Sequence, residues 1–191
     1  RLCFHLSGRD DVANKLYELV LAGKVGALVV PAKTPPPWHE FISTDAICPV
    51  GFTDEEALLP VTLRSFQGYR LLQEYFSFPQ RFRFFEVSGL ARAMKRVDAN
   101  QLELVILFGR GDATLENVVD ASNLALYCTP ALNLFPKRAD RIQVNDGAHE
   151  YHVAPDRTSP LDFEVSAVTG VVGHGIGTDS GQHFLPFYSA Y

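Results

Sequence analysis

Short apolar runs of period two, broken by glycine and proline, constrain the fold of this 191-residue chain most strongly. Leu2, Phe4 and Leu6 occupy every second position, and residues 102–108 form the most apolar run. Successive side chains of a strand point to opposite faces, so this alternation predicts β-strands. Helical patterns are fewer and shorter. We therefore expect a β-rich α+β fold with mostly antiparallel strands and a few short helices.

The first helical pattern follows the first strand. Apolar side chains recur at helical spacing over residues 12–20, and the acidic pair at residues 10 and 11 offers an amino-terminal cap. Gly23 predicts the end of this helix, because glycine accepts the backbone conformation that closes helices. Another strand is predicted directly afterwards, at residues 25–30.

Six aromatic rings are crowded into residues 75–85. A helix predicted at residues 65–77 carries the first two on one face, and a strand predicted at residues 81–87 carries the last three. We expect most of these rings to lie in the core and some to form a patch for a partner subunit, since aromatic residues anchor interfaces. The interface candidates are Tyr75, Phe76, Phe82 and Phe84.

The second half of the chain gives weaker patterns. Asn145-Asp146-Gly147 is a strong turn signal and predicts a hairpin between two short strands. The other predictions are a short helix at residues 115–119 and strands at residues 124–128, 163–172 and 184–188. Both halves begin with a strand, a turn and a helical pattern in the same order. This order predicts two similar α+β lobes, residues 1–97 and 98–191, that arose by duplication.

Composition excludes several classes of protein. Apolar residues make up 47% and charged residues 20% of the chain, which is typical of a globular protein. A net charge of −5 argues against nucleic-acid binding, which needs a basic face to neutralise phosphates. We find no apolar run near the length of a membrane span and no signal peptide, and we expect no direct insertion into a membrane. Because the chain opens on Arg1 in a strand pattern, we interpret it as an internal piece of a longer protein.

Metal and ligand chemistry have weak support in the sequence. His149 and His152 are three positions apart in a strand-like segment, which places them on opposite faces of that strand. A metal-dependent hydrolase that uses this pair with Asp156 stays an alternative, as does a carbohydrate- or ligand-binding β module that uses an exposed Trp38 and tyrosine residues. We predict no catalytic residue, no metal site and no cofactor.

A cluster of charges lies in the otherwise apolar segment that begins at residue 133. Arginine pairs with carboxylates and backbone carbonyls through its planar fork of donors. We therefore predict an ion-pair network that pins loops with little regular structure. Its members are Arg138, Asp140, Arg141, Asp156 and Arg157.

Several segments, spread over most of the chain, resemble one family. The strongest are Asn-Leu-Phe-Pro-Lys-Arg-Ala-Asp-Arg and His-Glu-Tyr-His-Val-Ala-Pro-Asp-Arg. Weaker ones are Leu-Gln-Glu-Tyr-Phe, Phe-Pro-Gln-Arg-Phe-Arg-Phe-Phe, Thr-Pro-Ala-Leu and Pro-Leu-Asp-Phe-Glu-Val. They resemble the TssF family, also called VasA or ImpG, of the bacterial type VI secretion system. The segments lie at residues 133–141, 149–157, 72–76, 78–85, 129–132 and 160–165.

The resemblance implies a structural protein rather than an enzyme. Members of this family look like wedge proteins of phage-tail baseplates. The resemblance implies that two copies join one TssG, with TssE and TssK, in a cytoplasmic platform at the inner membrane of a Gram-negative bacterium. The sheath and tube of the contractile injection machine assemble on this platform. Two positions depart from the family pattern: Ser166 replaces an expected tyrosine, and Pro136 stands where an acidic residue is more usual.

Overall fold

Antiparallel sheets and short helices make up the computed structural model, which describes residues 1–61, 66–98, 100–175, 177 and 180–184. The helices are α1 (Asp10–Ala22), α2 (Gln67–Ser77) and α3 (Ala91–Arg96). The strands are β1 (Leu2–Leu6), β2 (Lys24–Pro31), β3 (Glu40–Ile42), β4 (Ile47–Val50), β5 (Phe84–Val87), β6 (Leu102–Phe108), β7 (Leu124–Ala125), β8 (Val171–His174) and β9 (Gly181–Phe184). The chain divides into two compact units, Arg1–Leu132 and Asn133–Tyr191.

The first unit contains two antiparallel sheets. One has the strand order β4-β5-β1-β7, and the other has the order β3-β2-β6. Phe4 of β1 lies opposite Phe85 of β5, and their rings stack with centroids 5.2 Å apart. Burying two such rings against each other contributes both apolar area and a favourable ring contact. The β1–β5 pairing therefore fixes the centre of the larger sheet.

Helix α1 supplies one side of the core of the first unit. Its buried residues Val12, Ala13, Leu16 and Val20 recur at spacings of one, three and four, so they form one apolar stripe. They pack in a single cluster with buried side chains from both sheets. This core fixes β5, and the short 3₁₀ turn Pro79–Phe82 leads from α2 directly towards that strand.

The predicted α+β class with mostly antiparallel strands is confirmed, because every pairing in the described residues is antiparallel. The strands at residues 2–6, 25–30 and 102–108 and the first helix are also confirmed. The acidic pair at residues 10 and 11 lies inside the first turn of α1 rather than at its cap, which is Arg9. Asp10 instead accepts a hydrogen bond of 2.8 Å from the buried Arg83.

Several weaker predictions are wrong. Residues 115–119 form turns instead of a helix, and the strand predicted at residues 124–128 stops at Ala125. The turn at residues 145–147 forms, but no strand flanks it, and only the end of the strand predicted at residues 163–172 is present. An isolated hairpin is marginal without a third strand or a covering layer. Residues 133–170 contain no strand to supply one. The strand predicted at 184–188 lies largely outside the described residues.

The predicted lobe boundary between residues 97 and 98 lies within the first compact unit, whose limit is Leu132. Strand β6, from the predicted second lobe, pairs along its whole length with β2 of the predicted first lobe. The shared order of strand, turn and helical pattern in the two halves is a feature of their sequences. The internal duplication stays a prediction.

Candidate interaction surface

Helix α2 has its charges inside and its aromatic rings outside. Its buried residues are Arg70 and Glu74, and the Glu74 side chain is almost completely removed from solvent, at 3% exposure. Phe76 is 81% exposed and Tyr69 is 68% exposed. A surface helix normally turns its apolar stripe towards the core. The polarity of α2 is therefore inverted. Of the six rings at residues 75–85, the two on α2 are exposed, whereas Phe82, Phe84 and Phe85 are buried, in agreement with the expectation that most lie in the core and some on the surface.

Glu74 is the centre of a buried ion cluster. Its carboxylate pairs with Arg81 and accepts a hydrogen bond of 3.3 Å from Arg70. The same carboxylate accepts two backbone N–H groups, from Leu58 at 3.1 Å and from Leu59 at 3.0 Å. A buried carboxylate is tolerated only when charges and donors of this kind replace its lost hydration. The cluster thus joins α2 to the loop that precedes it.

Arg81 has the most buried side chain of the cluster, with 1% exposure. It donates hydrogen bonds from Nη2 to the carbonyl of Gly51 at 2.8 Å and to the carbonyl of Glu56 at 2.7 Å. Burial and the nearby charge of Arg70 lower the pKa of the Arg81 guanidinium. Arg70 in turn reaches Asp54 at 3.0 Å, and that carboxylate is half-exposed. The cluster thus joins two cations to the carboxylates of Glu74 and Asp54, and Glu56 is a further anion close enough to act on Arg81.

The backbone of Gly51 is part of this cluster. Its φ of +107° is rarely adopted by side-chain-bearing residues, and an added Cβ would lie 3.2 Å from the Arg81 carbonyl oxygen. Glycine therefore lets the chain turn here while its carbonyl accepts from Arg81. No pattern in the sequence singled out this role, since the partners are far apart along the chain.

We expect Gly51→Ala to lower the free energy of unfolding by about 1–2 kcal/mol, the cost of a left-handed backbone for an L-residue. Urea denaturation measures this change. Gly111→Ala is the matched control, because an added Cβ at Gly111 meets no atom within 4 Å. Equal effects of the two substitutions would contradict the role given to Gly51.

The outer face of α2 carries the exposed stripe, which we define as Tyr69, Leu72, Tyr75 and Phe76. Leu72 lies three positions after Tyr69 and four before Phe76, so these three share one helix face. Tyr75 lies beside them, and its ring contacts Phe82 with centroids 5.9 Å apart. Phe82 and Phe84 themselves are buried. Of the four aromatic candidates, Tyr75 and Phe76 thus lie on the surface, and Phe82 and Phe84 belong to the interior.

The charged candidates lie in the second unit, where the structure brings some of them together. Asp140 accepts the backbone N–H of Arg157 at 2.8 Å, and the Arg157 guanidinium donates to the carbonyl of Arg141 at 3.2 Å. Asp156 pairs with Lys137 at 3.4 Å and accepts from the Thr158 hydroxyl at 2.6 Å. Among contacts of the described residues, none involves the Arg138 side chain. These bonds connect neighbouring loop segments, largely through the backbone.

Asp156 connects Lys137 to the loop at Thr158, so its substitution tests how much these contacts stabilise the loops of the second unit. Hydrogen bonds from the Thr158 hydroxyl and backbone N–H lower the pKa of Asp156, and Lys137 adds to this effect. A carboxylate whose pKa is lower in the folded than in the unfolded state stabilises the fold at pH values above its pKa in the unfolded state. This stabilisation is lost as the pH falls through the pKa of the folded state.

We therefore expect Asp156→Asn to accelerate hydrogen exchange at the Thr158 amide at neutral pH while global stability changes little. Acidification through the pKa of Asp156 should lower the protection factor of the same amide, relative to its intrinsic exchange rate at each pH, in the parent chain and not in the variant. Asp146→Asn, at an exposed turn position, is the control. A large loss of global stability on Asp156→Asn would instead indicate that Asp156 belongs to a buried network.

The structure lends no support to the residues named for alternative chemistry. In the described part of the chain, no group of three or more His, Cys, Asp or Glu side chains is arranged to hold a metal ion. His149, His152 and Asp156, which all lie in that part, are therefore not arranged as a metal site. Trp38 is half-buried, and the Arg96 guanidinium lies 4.7 Å from its ring centroid. The helices among the described residues are too short or too polar to cross a bilayer.

The fold and this surface together define an α+β protein whose most unusual feature is an exposed aromatic helix. The profile of the family described as "Type VI secretion system, TssF" matches residues 1–191. The chain is 51% identical over 188 residues to Type VI secretion system component TssF1 of Pseudomonas aeruginosa. The matched region covers 98% of this chain and 30% of the relative.

A similar fold occurs in a solved structure. A chain of the type VI secretion system TssK-TssF-TssG baseplate subcomplex, determined by cryo-electron microscopy, aligns with a TM-score of 0.67 and 24% identity. The alignment covers 97% of this chain and 34% of that chain. This chain belongs to the TssF family of the type VI secretion system. It spans about a third of the length of the relatives that it matches.

Proposed function

We propose that this chain is part of a structural baseplate subunit of a bacterial type VI secretion system and works as a scaffold, not as an enzyme. The observation that carries the proposal is its 51% identity to Type VI secretion system component TssF1 over 98% of the chain. Identity at this level over almost the whole chain supports a shared fold, and the scaffold role is proposed from that similarity. A wedge-like role in assembly of the sheath and tube follows from family membership.

The proposed partners are other baseplate subunits. TssK and TssG are supported by the similar fold found in the TssK-TssF-TssG baseplate subcomplex. TssE and a second copy of the TssF chain are the further partners that we propose. The assembly would form in the cytoplasm, at the inner membrane of a Gram-negative bacterium.

The mechanism we propose is mechanical. The first unit joins two sheets and α1 through one apolar core, and a buried ion cluster holds α2. Close-packed interiors of this kind transmit displacement rather than absorb it. Lobes built in this way would pass a rearrangement of the baseplate on to the sheath. The loop contacts of Asp140, Arg141, Asp156 and Arg157 would serve a structural role in this scheme, and the same role is proposed for Arg138.

Co-expression of the full-length protein with TssK, TssG and TssE of the same organism tests the proposal. We expect a stoichiometric complex after affinity purification and size exclusion, because a scaffold must bind its neighbours without a substrate. The three partners expressed without the protein are the control for their adhesion to the resin. Absence of any complex with the full-length protein would overturn the proposed function.

A further inference from the structure

Two buried arginines follow α2 closely in the sequence, and they bind different parts of the first unit. Arg81 pairs with Glu74 of α2 and donates to the carbonyl groups of Gly51 and Glu56. Its side chain is almost completely removed from solvent. Arg81 therefore binds the helix and the loop that precedes it at the same time.

Arg83 binds the other long helix, α1. Its Nη2 donates to the Asp10 carboxylate at 2.8 Å, and its Nε donates to the side-chain oxygen of Asn14 at 3.1 Å. Asp10 and Asn14 are four positions apart, so they share one face of α1. The backbone carbonyl of Arg83 also accepts the N–H of Leu6, the last residue of β1, at 3.0 Å. A planar guanidinium with two partners has little freedom to rotate, so Arg83 fixes α1 to the start of β5.

The backbone that connects the two arginines is short and closed by hydrogen bonds. The N–H of Arg81 donates to the carbonyl of Phe78 at 3.2 Å, and the N–H of Arg83 donates to the carbonyl of Gln80 at 3.1 Å. The ring of Phe82, between the arginines, is buried. A close-packed turn of this kind cannot rotate without breaking a buried contact, so it transmits strain from one arginine to the other.

We propose that residues 78–83 couple α2 to α1, so that a change in the buried ion cluster alters the stability of the first turn of α1. The inference rests on the proposed function for its role, because a mechanical scaffold needs displacements to pass between its elements. Residues that share no partner normally contribute additively to stability. A perturbation on the α2 side that reaches α1 only through Arg83 is therefore the signature of the coupling.

Native-state hydrogen exchange of the isolated full-length protein tests the coupling at the Ala13 amide. This amide donates to the carbonyl of Arg9 at 2.9 Å in the first turn of α1. Asp54→Asn removes the half-exposed carboxylate that pairs with Arg70, which is a mild change on the α2 side. We expect the protection factor of Ala13 to fall by about threefold or more relative to that of Val29 in β2.

Arg83→Gln is the second arm of the experiment, because it releases α1 and leaves the contacts of Arg81 in place. In the Arg83→Gln background, Asp54→Asn should no longer change the protection of Ala13 relative to Val29. Asp10→Asn weakens the same link at a side chain that is largely exposed, and it serves where Arg83→Gln does not fold.

Glu116→Gln, at an exposed position of the first unit, is the control and should change neither amide. An effect of Asp54→Asn on Ala13 that is equally large with and without Arg83 would overturn the inference. So would equal losses of protection at Ala13 and Val29, which indicate a global change in stability. A protein that shows the coupling but forms no complex with TssK and TssG would remove the proposed function and leave the coupling standing.

Discussion

Glu74→Gln should lower the free energy of unfolding by about 3–5 kcal/mol, because it leaves the buried Arg81 without its paired carboxylate and Arg70 with the half-exposed Asp54 alone. The substitution keeps the shape of the side chain and one carbonyl acceptor, but it removes the negative charge shared by Arg70 and Arg81. Both arginines are buried, so water cannot solvate their guanidinium groups in place of the lost carboxylate. Urea denaturation of the full-length protein measures the change.

Two further variants separate charge from packing. Glu116→Gln makes the same chemical change at an exposed position of the first unit and should leave stability nearly unchanged. The triple variant Arg70→Met, Glu74→Leu, Arg81→Met removes all three buried charges together. Removing the unpaired buried charges should recover part of the stability lost in Glu74→Gln. The recovery should be incomplete, because the backbone groups that bonded Glu74 and Arg81 lose their side-chain partners. A Glu74→Gln protein within about 1 kcal/mol of the parent would contradict the cluster as a buried, charge-balanced unit.

The period of the apolar residues predicted most of the elements in the first unit. Strands β1, β2 and β6 and helix α1 were predictable because each has a regular pattern that one buried face requires. The short strand β7 was overestimated because Leu126 and Tyr127 are apolar but exposed. Tyr127 also has a φ of +59°, which a continuing strand does not allow.

Helix α2 shows what periodicity leaves open. Its position was predicted to within two residues, but a helical pattern defines two faces without saying which one is buried. Arg70 and Glu74 are four positions apart, so they lie on the same face of the helix. This spacing is the feature of the sequence that could have indicated a charged inner face. Their burial depends on Arg81 and on the amides of Leu58 and Leu59, which the fold brings to them. Such partners cannot be read from the helix itself.

The charged candidates of the second unit illustrate a different limit. Composition indicated that arginines and aspartates lie close in sequence, but it could not tell side-chain pairs from side-chain contacts to the backbone. Asp140 binds the backbone N–H of Arg157 rather than its guanidinium. Loops without regular structure place their backbone groups irregularly, and no sequence period records where those groups lie.

Phe85→Ala is the second substitution with a large expected effect, a loss of about 3–5 kcal/mol in the free energy of unfolding. Phe85 is fully buried, and its ring stacks on Phe4 across the β1–β5 pairing. Truncation to alanine removes that contact and leaves a cavity between packed elements that can close only in part. Urea denaturation measures the loss, and a reduced slope of unfolding would indicate a looser native state.

Phe76→Ala is the matched control, since it removes the same ring nine positions earlier in the chain. Phe76 is 81% exposed, so its truncation removes little buried apolar area. We therefore expect the free energy of unfolding to change by less than about 0.5 kcal/mol. A large loss at Phe76 would mean that the ring is covered in the full-length protein. A small loss at Phe85 would contradict the core described for the first unit. If the two phenylalanines differ as expected, folding depends on the buried Phe85 and does not depend on the exposed Phe76.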